Sequence, residues 1–577
     1  MSYDKLKTET YSQLGGINSK ISSYINGPEE FRDLTNLNFF VPGALSKRPG
    51  TSLYIGATIS GRITGGVEFE RLNGASYIVV TANTNAYTVA GSFSSFKTGL
   101  LDAALFDFIT FVDRLFACNG QDFFKFDGTN TSAYSLPPGA TGWGVTAVVG
   151  GGLSGTFVTS YGYLNNRGYF GPASNGLTIA LNGITFGSIQ YYGLTTVTGY
   201  GITALSFYRT SAGGIDEQGT TFAPINTATF TDTAFPLATR LSNDNLWVTT
   251  APRYMEIYNN QLFMAGFSAL LSTVLWSNIG EPEGVDPTFN AEFRTNDGDR
   301  VTGLKSYNGA LVVTKERSTH RLVGGNPDNF AIQEITDQYG CLSNRAMVTF
   351  EDYLWFLDTK GIVEYNGANI KIISEKVEPI FSSMNIAAAR ENAVAIHNRQ
   401  FNEVWFSIPC NGASLNNCVV VYDYLAKAWT KYEGVDSSAL FQAKGALSQR
   451  SVFVGGYTGS IFFFGASLTS DQGRSITCMM QPRFLAPTGH TTERQFRRLY
   501  LDVNPILGIT QAINVDFRTN YGTSIVLTRT MYQAPYQSRI DFGLSAKSIQ
   551  PTFTHVSASL PLQINGFTFE SRFQRPV

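Results

Sequence analysis

Histidine is the side chain best suited to acid–base catalysis near neutral pH, and the 577-residue sequence contains four. They are His320, His397, His490 and His555, which lie far apart along the chain. His320 falls within a predicted strand and His397 beside a predicted turn, so we interpret both as structural. The sequence has no Walker loop, His-Glu-x-x-His motif, Cys-x-x-Cys pair or Gly-x-Ser-x-Gly elbow. These features predict a protein that is not an enzyme and requires no cofactor.

Two segments carry the oxygen ligands that hard cations prefer. The segment NDGD (296–299) lacks the further carboxylate that a calcium loop needs, and we predict a polar β-turn there. The segment TSDQGRS (469–475) resembles the Asp-box turn of sialidase propellers, although Ile476 stands where an aromatic residue is expected. Asp boxes are themselves structural turns. Neither segment therefore predicts a metal site.

The composition describes a multidomain protein with little charge. Charged residues, 42 basic and 44 acidic, make up 15% of the chain, against about 25% in an average globular protein. The net charge of −2 argues against a basic protein that wraps nucleic acid. The 43 Phe, 28 Tyr and 57 Gly residues indicate many strands joined by tight turns.

The five cysteines are too few and too scattered for a disulfide framework, and their odd number leaves at least one free thiol. Cys410 and Cys418 stand within one predicted hairpin, where buried thiols and a disulfide bridge are both open interpretations. The first residues contain no apolar core of a signal peptide. No apolar run reaches the about 18 to 20 residues that cross a bilayer, so we predict no membrane span.

A pair of strands recurs along the sequence, and this recurrence predicts a β-propeller. One equivalent apolar residue in each copy gives the series Ile78, Leu115, Leu262, Leu311, Leu354, Val404 and Val452. Successive members are 37 to 50 residues apart, except for a step of 147 residues from Leu115 to Leu262. We therefore predict an all-β fold with a propeller of about six to eight blades. The long step predicts an insertion of a separate domain between two blades.

The sequence divides into five segments. Residues 1–50 are predicted to form an N-terminal extension that leads into the first blade. Residues 51–137 and 241–470 form the two parts of the propeller. Residues 138–240 form the inserted domain, and residues 471–577 form a C-terminal β-domain, or platform, in which the blade pattern has stopped.

The inserted segment resembles a fibronectin type III-like β-sandwich. It contains alternating strand patterns at 156–181, 202–210 and 228–233, with Tyr161 and Tyr163 in the first of them. Helix signals are scarce in the whole chain. The best helix candidate is 375–394, where Pro379 can stand only near a helix start.

The C-terminal segment differs from the rest in charge. Residues 475–577 hold ten Arg or Lys and five Asp or Glu, a net charge of +5, which leaves −7 for residues 1–474. Arg494, Arg497 and Arg498 share one predicted strand and form the candidate interface. A basic surface favours an acidic partner, either a protein or phosphate. Solvated arginines on an exposed strand are the alternative interpretation.

The segment LGGINSKISSYINGPEEFRDLTNLNFFVPGALSKRPGT (14–51) resembles the opening of tail proteins from short-tailed bacteriophages. Its most specific part is the motif Gly43, Ser46, Lys47, Arg48, Pro49 and Gly50, whose Arg-Pro-Gly corner in that family leads directly into the first blade. The strand pair VVYDYLAKAW (420–429) also matches. The chain is thus similar to the podophage tail nozzle, or tail tubular protein B, family. Tail hub and packaged-DNA-stabilisation proteins are near neighbours of that family.

This resemblance implies a homohexamer below the portal and the adaptor protein, with propellers around a central DNA channel. The implied partners are the adaptor, tail fibres or spikes, a needle or plug, and viral double-stranded DNA that passes without sequence specificity. The protein is then expected in the virion tail, after synthesis in the host bacterial cytoplasm. A near-neutral chain suits a channel in which DNA slides, because each neutralised phosphate adds salt-dependent affinity.

Two other classes of protein stay open. A receptor-binding or depolymerase tail protein would expose a carboxylate pair in an aromatic groove, and no such pair can be identified in the sequence. A cellular propeller scaffold would need no virion. The aromatic residues at alternate positions, such as Trp355 and Trp405, fit blade cores, with a carbohydrate or base-stacking platform as the alternative.

Overall fold

The computed structural model describes residues 6–23, 25, 27–101, 104–195, 197–237, 245–295, 297–444, 450–486, 489, 491–504, 511–532 and 538–573. It confirms the predicted all-β propeller, with seven four-stranded antiparallel blades. The first strand of each blade contacts the first strand of the next, and the seventh blade contacts the first, so the ring is closed. Five strands precede the first blade: β1 (Lys7–Tyr11), β2 (Phe31–Thr35), β3 (Leu37–Asn38), β4 (Leu45–Lys47) and β5 (Gly50–Leu53).

Blades 1 and 2 come before the inserted domain and blades 3 to 7 after it. Blade 1 contains β6 (Ile63–Glu70), β7 (Ser76–Ala82), β8 (Asn85–Val89) and β9 (Phe93–Lys97). Blade 2 contains β10 (Asp107–Phe111), β11 (Arg114–Cys118), β12 (Phe123–Phe126) and β13 (Thr131–Ala133). The inserted domain contains β14 (Gly144–Gly151), β15 (Ser154–Asn165), β16 (Leu177–Asn182), β17 (Phe186–Tyr192), β18 (Ile202–Arg209), β19 (Gln218–Pro224) and β20 (Thr229–Asp232).

The remaining blades follow in chain order. Blade 3 contains β21 (Tyr254–Tyr258), β22 (Gln261–Ala265), β23 (Thr273–Trp276) and β24 (Asn290–Glu292). Blade 4 contains β25 (Val301–Tyr307), β26 (Ala310–Lys315), β27 (Thr319–Val323) and β28 (Ala331–Thr336). Blade 5 contains β29 (Met347–Phe350), β30 (Tyr353–Asp358), β31 (Gly361–Tyr365) and β32 (Ile370–Ile372). Blade 6 contains β33 (Val394–Asn398), β34 (Glu403–Ile408), β35 (Cys418–Asp423) and β36 (Ala428–Glu433).

The seventh blade is assembled from both ends of the propeller sequence. Its strands are β37 (Ala439–Ala443), β38 (Ser451–Gly455), β39 (Ile461–Gly465) and, as the outermost strand, β5. The residues after the Arg-Pro-Gly corner therefore complete the last blade, whereas the sequence had predicted that they enter the first. The reason is that β39 offers an unpaired edge to which β5 adds in antiparallel register, from Leu53 with Phe462 to Gly50 with Gly465.

The second strand of each blade carries the repeat that the sequence revealed. All seven residues of the series lie on second strands, namely β7, β11, β22, β26, β30, β34 and β38. Every residue of β11, β22, β26, β34 and β38 is buried. A blade packs its two faces against two neighbours, so these strands are continuously apolar rather than alternating.

The inserted domain is a sandwich of two antiparallel sheets, with strand orders β14-β17-β20 and β16-β15-β18-β19. Its core is aromatic, and Tyr161, Tyr163, Tyr191 and Phe207 are all buried between the sheets. The predicted helix 375–394 is broken into a 3₁₀ turn (Glu375–Val377), α1 (Glu378–Ser382) and α2 (Ile386–Asn392) between blades 5 and 6. Within the described residues no helix has the length and apolarity needed to cross a membrane.

The C-terminal strands are β40 (Ile476–Pro482), β41 (Arg494–Val503), β42 (Ala512–Thr519), β43 (Leu527–Tyr532), β44 (Ser538–Ala546), β45 (Ile549–Ser557) and β46 (Gln563–Phe573). They share two sheets with the N-terminal strands, since β1, β3 and β4 join β46, β41 and β44. The second sheet continues from blade 6 through β2 to β40, β45, β42 and β43. The N-terminal segment is thus part of the C-terminal domain, and β2 fixes that domain to the propeller.

Candidate functional site

Arg48 lies where the N-terminal segment, the last two blades and the C-terminal strands meet, and its side chain is fully buried. Its guanidinium donates to both carboxylate oxygens of Asp471, at 3.0 and 2.5 Å. It also donates to Asn36 Oδ1 at 2.8 Å and to the carbonyl oxygens of Pro49 and Glu433 at 3.0 and 3.1 Å. We call these five residues the closure junction.

Asp471 belongs to the segment that resembles an Asp box, and the structure shows what this turn does. Its carboxylate also accepts a hydrogen bond from the Thr51 hydroxyl, at 3.2 Å. The backbone of β5 is held as well, because Thr51 donates to the Ser470 carbonyl oxygen at 3.0 Å and Gln472 donates to that of Thr51 at 2.8 Å. The turn therefore clamps the strand that completes the propeller.

Two other motif residues, Lys47 and Gly50, contribute to the packing between the motif and the C-terminal part of the chain. Lys47 Nζ donates to the carbonyl oxygens of Ser557 and Leu560, at 2.7 and 3.1 Å, and so binds the motif to the C-terminal domain. At Gly50 the chain passes so close to the turn that a Cβ atom would lie 2.1 Å from the Ser470 carbonyl oxygen. Glycine is therefore required at this position by the packing of the backbone.

The rest of the motif shapes the chain before the corner. Gly43 has a φ of +77°, in the left-handed region that glycine adopts without strain. Ser46 lies on β4 and pairs with Gln563 of β46. The motif that carries the resemblance is thus a buried structural junction.

A buried carboxyl stands next to this junction, and among the residues that the structure describes it forms no ion pair. Glu403 accepts hydrogen bonds from Trp405 Nε1 and from the Tyr432 hydroxyl, both at 2.6 Å. The Tyr432 ring in turn faces the Arg48 guanidinium at 5.8 Å. Burial raises the pKa of Glu403 to about 8.

The three candidate interface arginines have three different environments on β41. Arg494 is fully buried, donates to Glu9 Oε1 at 3.3 Å and lies over the Phe573 ring at 4.8 Å. Arg498 pairs with Asp541 at 2.9 Å and with Glu570 at 3.1 Å. Arg497 occupies a β-bulge between Phe496 and Arg498 and is exposed. Arg497 is therefore the one of the three that is available to an acidic partner.

A second buried charge cluster fixes the sandwich to the propeller, and we call it the sandwich junction. Glu283, from blade 3, accepts a hydrogen bond from Arg114 Nη1 at 2.9 Å and one from Lys125 Nζ, both in blade 2. It accepts a third from Asn165 Nδ2 of the sandwich at 2.7 Å. Nearby, the Tyr169 hydroxyl donates to the Gly280 carbonyl oxygen at 2.9 Å. Nothing in the sequence pattern indicates this cluster, because Glu283 lies more than 100 residues from each of its partners.

The acidic turn that the sequence offered as a cation site is engaged by a lysine of blade 4. Asp297 accepts from Lys315 Nζ at 2.7 Å, and Asn296 lies outside the described residues. Among those described, no group of three or more His, Cys, Asp or Glu side chains is placed to hold a metal ion. Burial lowers the pKa of both His397 and His555 to about 4.

Neither His320 nor any of the cysteines belongs to the two junctions. His320 is buried, and its Nε2 atom lies 3.0 Å from the Ser318 hydroxyl. His490 lies outside the described residues. All five cysteines are buried free thiols, including Cys410 and Cys418.

No protein-family model matches the chain, and no curated protein matches it. Several solved structures align with it at low scores. BBS1N in complex with ARL6DN is 10% identical, and the alignment covers 74% of this chain and 99% of that chain with a TM-score of 0.26. The WD40 domain of Neurospora crassa Pan2 is 6% identical over 73% and 95% of the two chains, with a TM-score of 0.26.

An exo-β-1,3-galactanase from Phanerochaete chrysosporium is 10% identical over 72% of this chain and 100% of that chain, with a TM-score of 0.20. Scores of this size carry no argument about function, which has to be inferred from the residues of the chain itself.

Proposed function

We propose that this chain is a structural component of a short-tailed bacteriophage tail, in which six copies form the nozzle ring below the portal and the adaptor. The ring is the distal part of the DNA conduit. It retains the packaged DNA until the particle adsorbs and then allows ejection into the host. Tail fibres or spikes and a needle or plug dock on the assembled ring.

The observation that carries this proposal is the internal use of the motif that resembles the nozzle family. Arg48 and Lys47 make buried contacts that join the closing strand, blade 6 and the C-terminal domain. A ring subunit that confines pressurised DNA has to transmit force between its domains without bending. A buried junction of this kind is suited to that role, because it leaves no flexible linker between propeller and platform.

The surface charge is compatible with the same role. The chain carries a net charge of −2, and a near-neutral protein suits a channel in which DNA has to slide. The exposed Arg497 on the platform offers a local cation to an acidic surface of the adaptor or of the next copy. A head-to-tail contact between identical copies closes into a ring when the rotation is suitable.

The test is the copy number and position of the chain in purified particles of the phage that encodes it. We expect as many copies as a six-fold ring requires, quantified against the portal protein, and density on the tail axis directly beyond the adaptor. Copies at the periphery in multiples of three would contradict the proposal and favour a receptor-binding or depolymerase protein. Absence from the particles would favour a cellular propeller scaffold.

A further inference from the structure

A cavity of about 340 Å³ lies at the centre of the propeller. Its walls are formed by the innermost strands of blades 1, 2, 3, 4 and 7 and by the turn that enters blade 5. Four ionisable side chains line it: Asp107, Glu256, Lys305 and Arg345. A smaller cavity beside it shares Asp107 and Arg345 and is also lined by Arg253 and Arg390. None of these residues belongs to either junction described above.

Three of the four charged groups are already engaged. Lys305 Nζ pairs with Glu256 at 3.0 Å, and each neutralises the other. Asp107 Oδ2 accepts from the Met255 amide at 2.9 Å and from Asn344 Nδ2 at 3.1 Å. The other oxygen of Asp107 accepts from the amide of the following residue at 3.1 Å. These contacts connect neighbouring blades and engage both carboxylate oxygens of Asp107.

Arg345 is the exception. Its guanidinium makes one long hydrogen bond, from Nη1 to the Thr64 carbonyl oxygen at 3.3 Å. Within the described ranges it forms no ion pair, although a guanidinium has five N–H donors. Burial lowers its pKa to about 10. The Asp107 carboxylate acts on this pKa in the opposite direction, but the unpaired N–H donors of the guanidinium can still be satisfied by an anion that enters the cavity.

We propose that Arg345 binds the oxyanion group of a small molecule, a carboxylate or a phosphate, in the central cavity of the propeller. The planar fork of a guanidinium matches two oxygens of such a group, which accept two parallel hydrogen bonds. The cavity has room for the group beside the guanidinium. The inference is independent of the tail role proposed above, since it depends only on the interior of the ring.

The adjoining cavity supplies a route from solvent to the site. Arg253, Arg345 and Arg390 face it together with two carboxylates, those of Asp107 and Glu391. Arg253 is exposed, so this side of the site opens to solvent. Arg390 also pairs with Glu316 at 3.0 Å. Three carboxylates, of Asp107, Glu391 and Glu316, balance the three arginines, so selection of an anion depends on the unpaired donors of Arg345.

The experiment is calorimetric titration of the full chain with inorganic phosphate, at an ionic strength held constant with potassium chloride. We expect saturable binding and an increase in the melting temperature with phosphate concentration. Arg345→Gln should weaken binding at least tenfold, because it removes the fork and the charge. Arg345→Lys should weaken it less, since it keeps only the charge. The matched control Arg529→Gln removes an exposed arginine of β43, outside both cavities, and should bind as the unchanged chain does.

Competition with malonate identifies the source of the oxyanion. Displacement of phosphate by malonate supports one site that accepts both groups, whereas saturable binding of either anion alone supports that group as the ligand. No saturable binding of either anion would overturn the proposal, as would equal binding by Arg345→Gln. If Arg345→Gln does not fold, cryo-EM of the unchanged chain with tungstate decides, because density for this electron-dense oxyanion must lie beside the guanidinium or the proposal is wrong.

Discussion

The two junctions of this molecule bury charge in different ways. In the sandwich junction one carboxylate, Glu283, serves two cations, and all three side chains are nearly or fully buried. In the closure junction one cation, Arg48, serves one carboxylate, and the side chain of Asp471 keeps 16% of its surface exposed. Arg48 also has three neutral acceptors, whereas Lys125 has one in the Tyr134 carbonyl oxygen, at 3.1 Å.

The sandwich junction depends on a single carboxylate, that of Glu283. Burial is the largest influence on the pKa of Lys125 and lowers it, even though Glu283 acts in the opposite direction. The sandwich junction thus contains two cations that only one carboxylate stabilises. In the closure junction the charge of Arg48 is stabilised by a carboxylate and by three neutral oxygen acceptors. The loss of one acceptor is therefore partly compensated by the others.

The largest effect is therefore expected at Glu283. Glu283→Gln keeps the shape of the side chain but leaves Arg114 and Lys125 buried without a counter-charge. We expect a loss of about 3 to 5 kcal/mol in the free energy of unfolding, measured by urea denaturation. Glu292→Gln, at an exposed glutamate of blade 3, is the control and should change stability little. A loss at Glu283 no larger than at the control would contradict the role given to this carboxylate.

Asp471→Asn tests the closure junction in the same way and should have a smaller effect. The amide oxygen still accepts one hydrogen bond from Arg48, and the three neutral acceptors remain. We expect a loss of about 1.5 to 3 kcal/mol, the range for hydrogen bonds to charged groups. The exposed Asp352→Asn is the matched control in blade 5. If Asp471→Asn proves as severe as Glu283→Gln, the contrast between the junctions is wrong.

Glu403 is a third buried acidic group, and within the described part of the chain it pairs with no cation. Its pKa is raised from 4.5 to about 8, so the folded chain keeps a proton that the unfolded chain has lost. The stability should therefore fall as the pH rises from 4.5 towards 8, by about 1.4 kcal/mol per pH unit. Denaturation at several pH values should show this slope, and Glu403→Gln should lack it. An identical slope in both proteins would refute the assignment.

The smallest effect belongs to an exposed cluster of charges on the platform. Asp541 pairs with Arg498 at 2.9 Å and with Arg539 at 3.0 Å, and its side chain is 56% exposed. Exposed ion pairs contribute about 0 to 1 kcal/mol, because water screens them. Asp541→Asn should accordingly lower the free energy of unfolding by less than 1 kcal/mol. If Asp541→Asn lowered the free energy of unfolding as much as Asp471→Asn, burial would not explain why the junctions contribute more stability than the surface ion pairs.

The repeat could be predicted from the sequence because second strands are buried on both faces. That burial selects continuous apolar residues such as those around Leu262 and Val404, and their spacing is visible without a structure. The inserted sandwich was visible for the same reason, as an interruption of the spacing. The place of β5 in the seventh blade could not be predicted, since the sequence of a four-residue strand does not indicate which sheet edge it joins.

The junctions show where sequence reasoning ended. The motif around Arg48 was recognised, but its partner Asp471 lies 423 residues away, and only the fold brings them together. Arg345 was not singled out at all, because one arginine in a loop has no pattern. Arg494 was expected at a surface and is buried instead, since β41 is an internal strand of its sheet, paired with β44 on one side and β46 on the other.

The position of β5 also sets an order of events during synthesis. Leu53 pairs with Phe462, so 409 residues have to be made after the strand before its partner exists. At about 5 to 20 residues per second, this interval lasts roughly 20 to 80 seconds. Throughout it the edge of β5 is unsatisfied, and an unpaired edge is a site where nascent chains join one another. The seventh blade is therefore the last blade to be completed. A chain that leaves the ribosome before residue 461 lacks β39, so β5 has no strand to join and the propeller stays open.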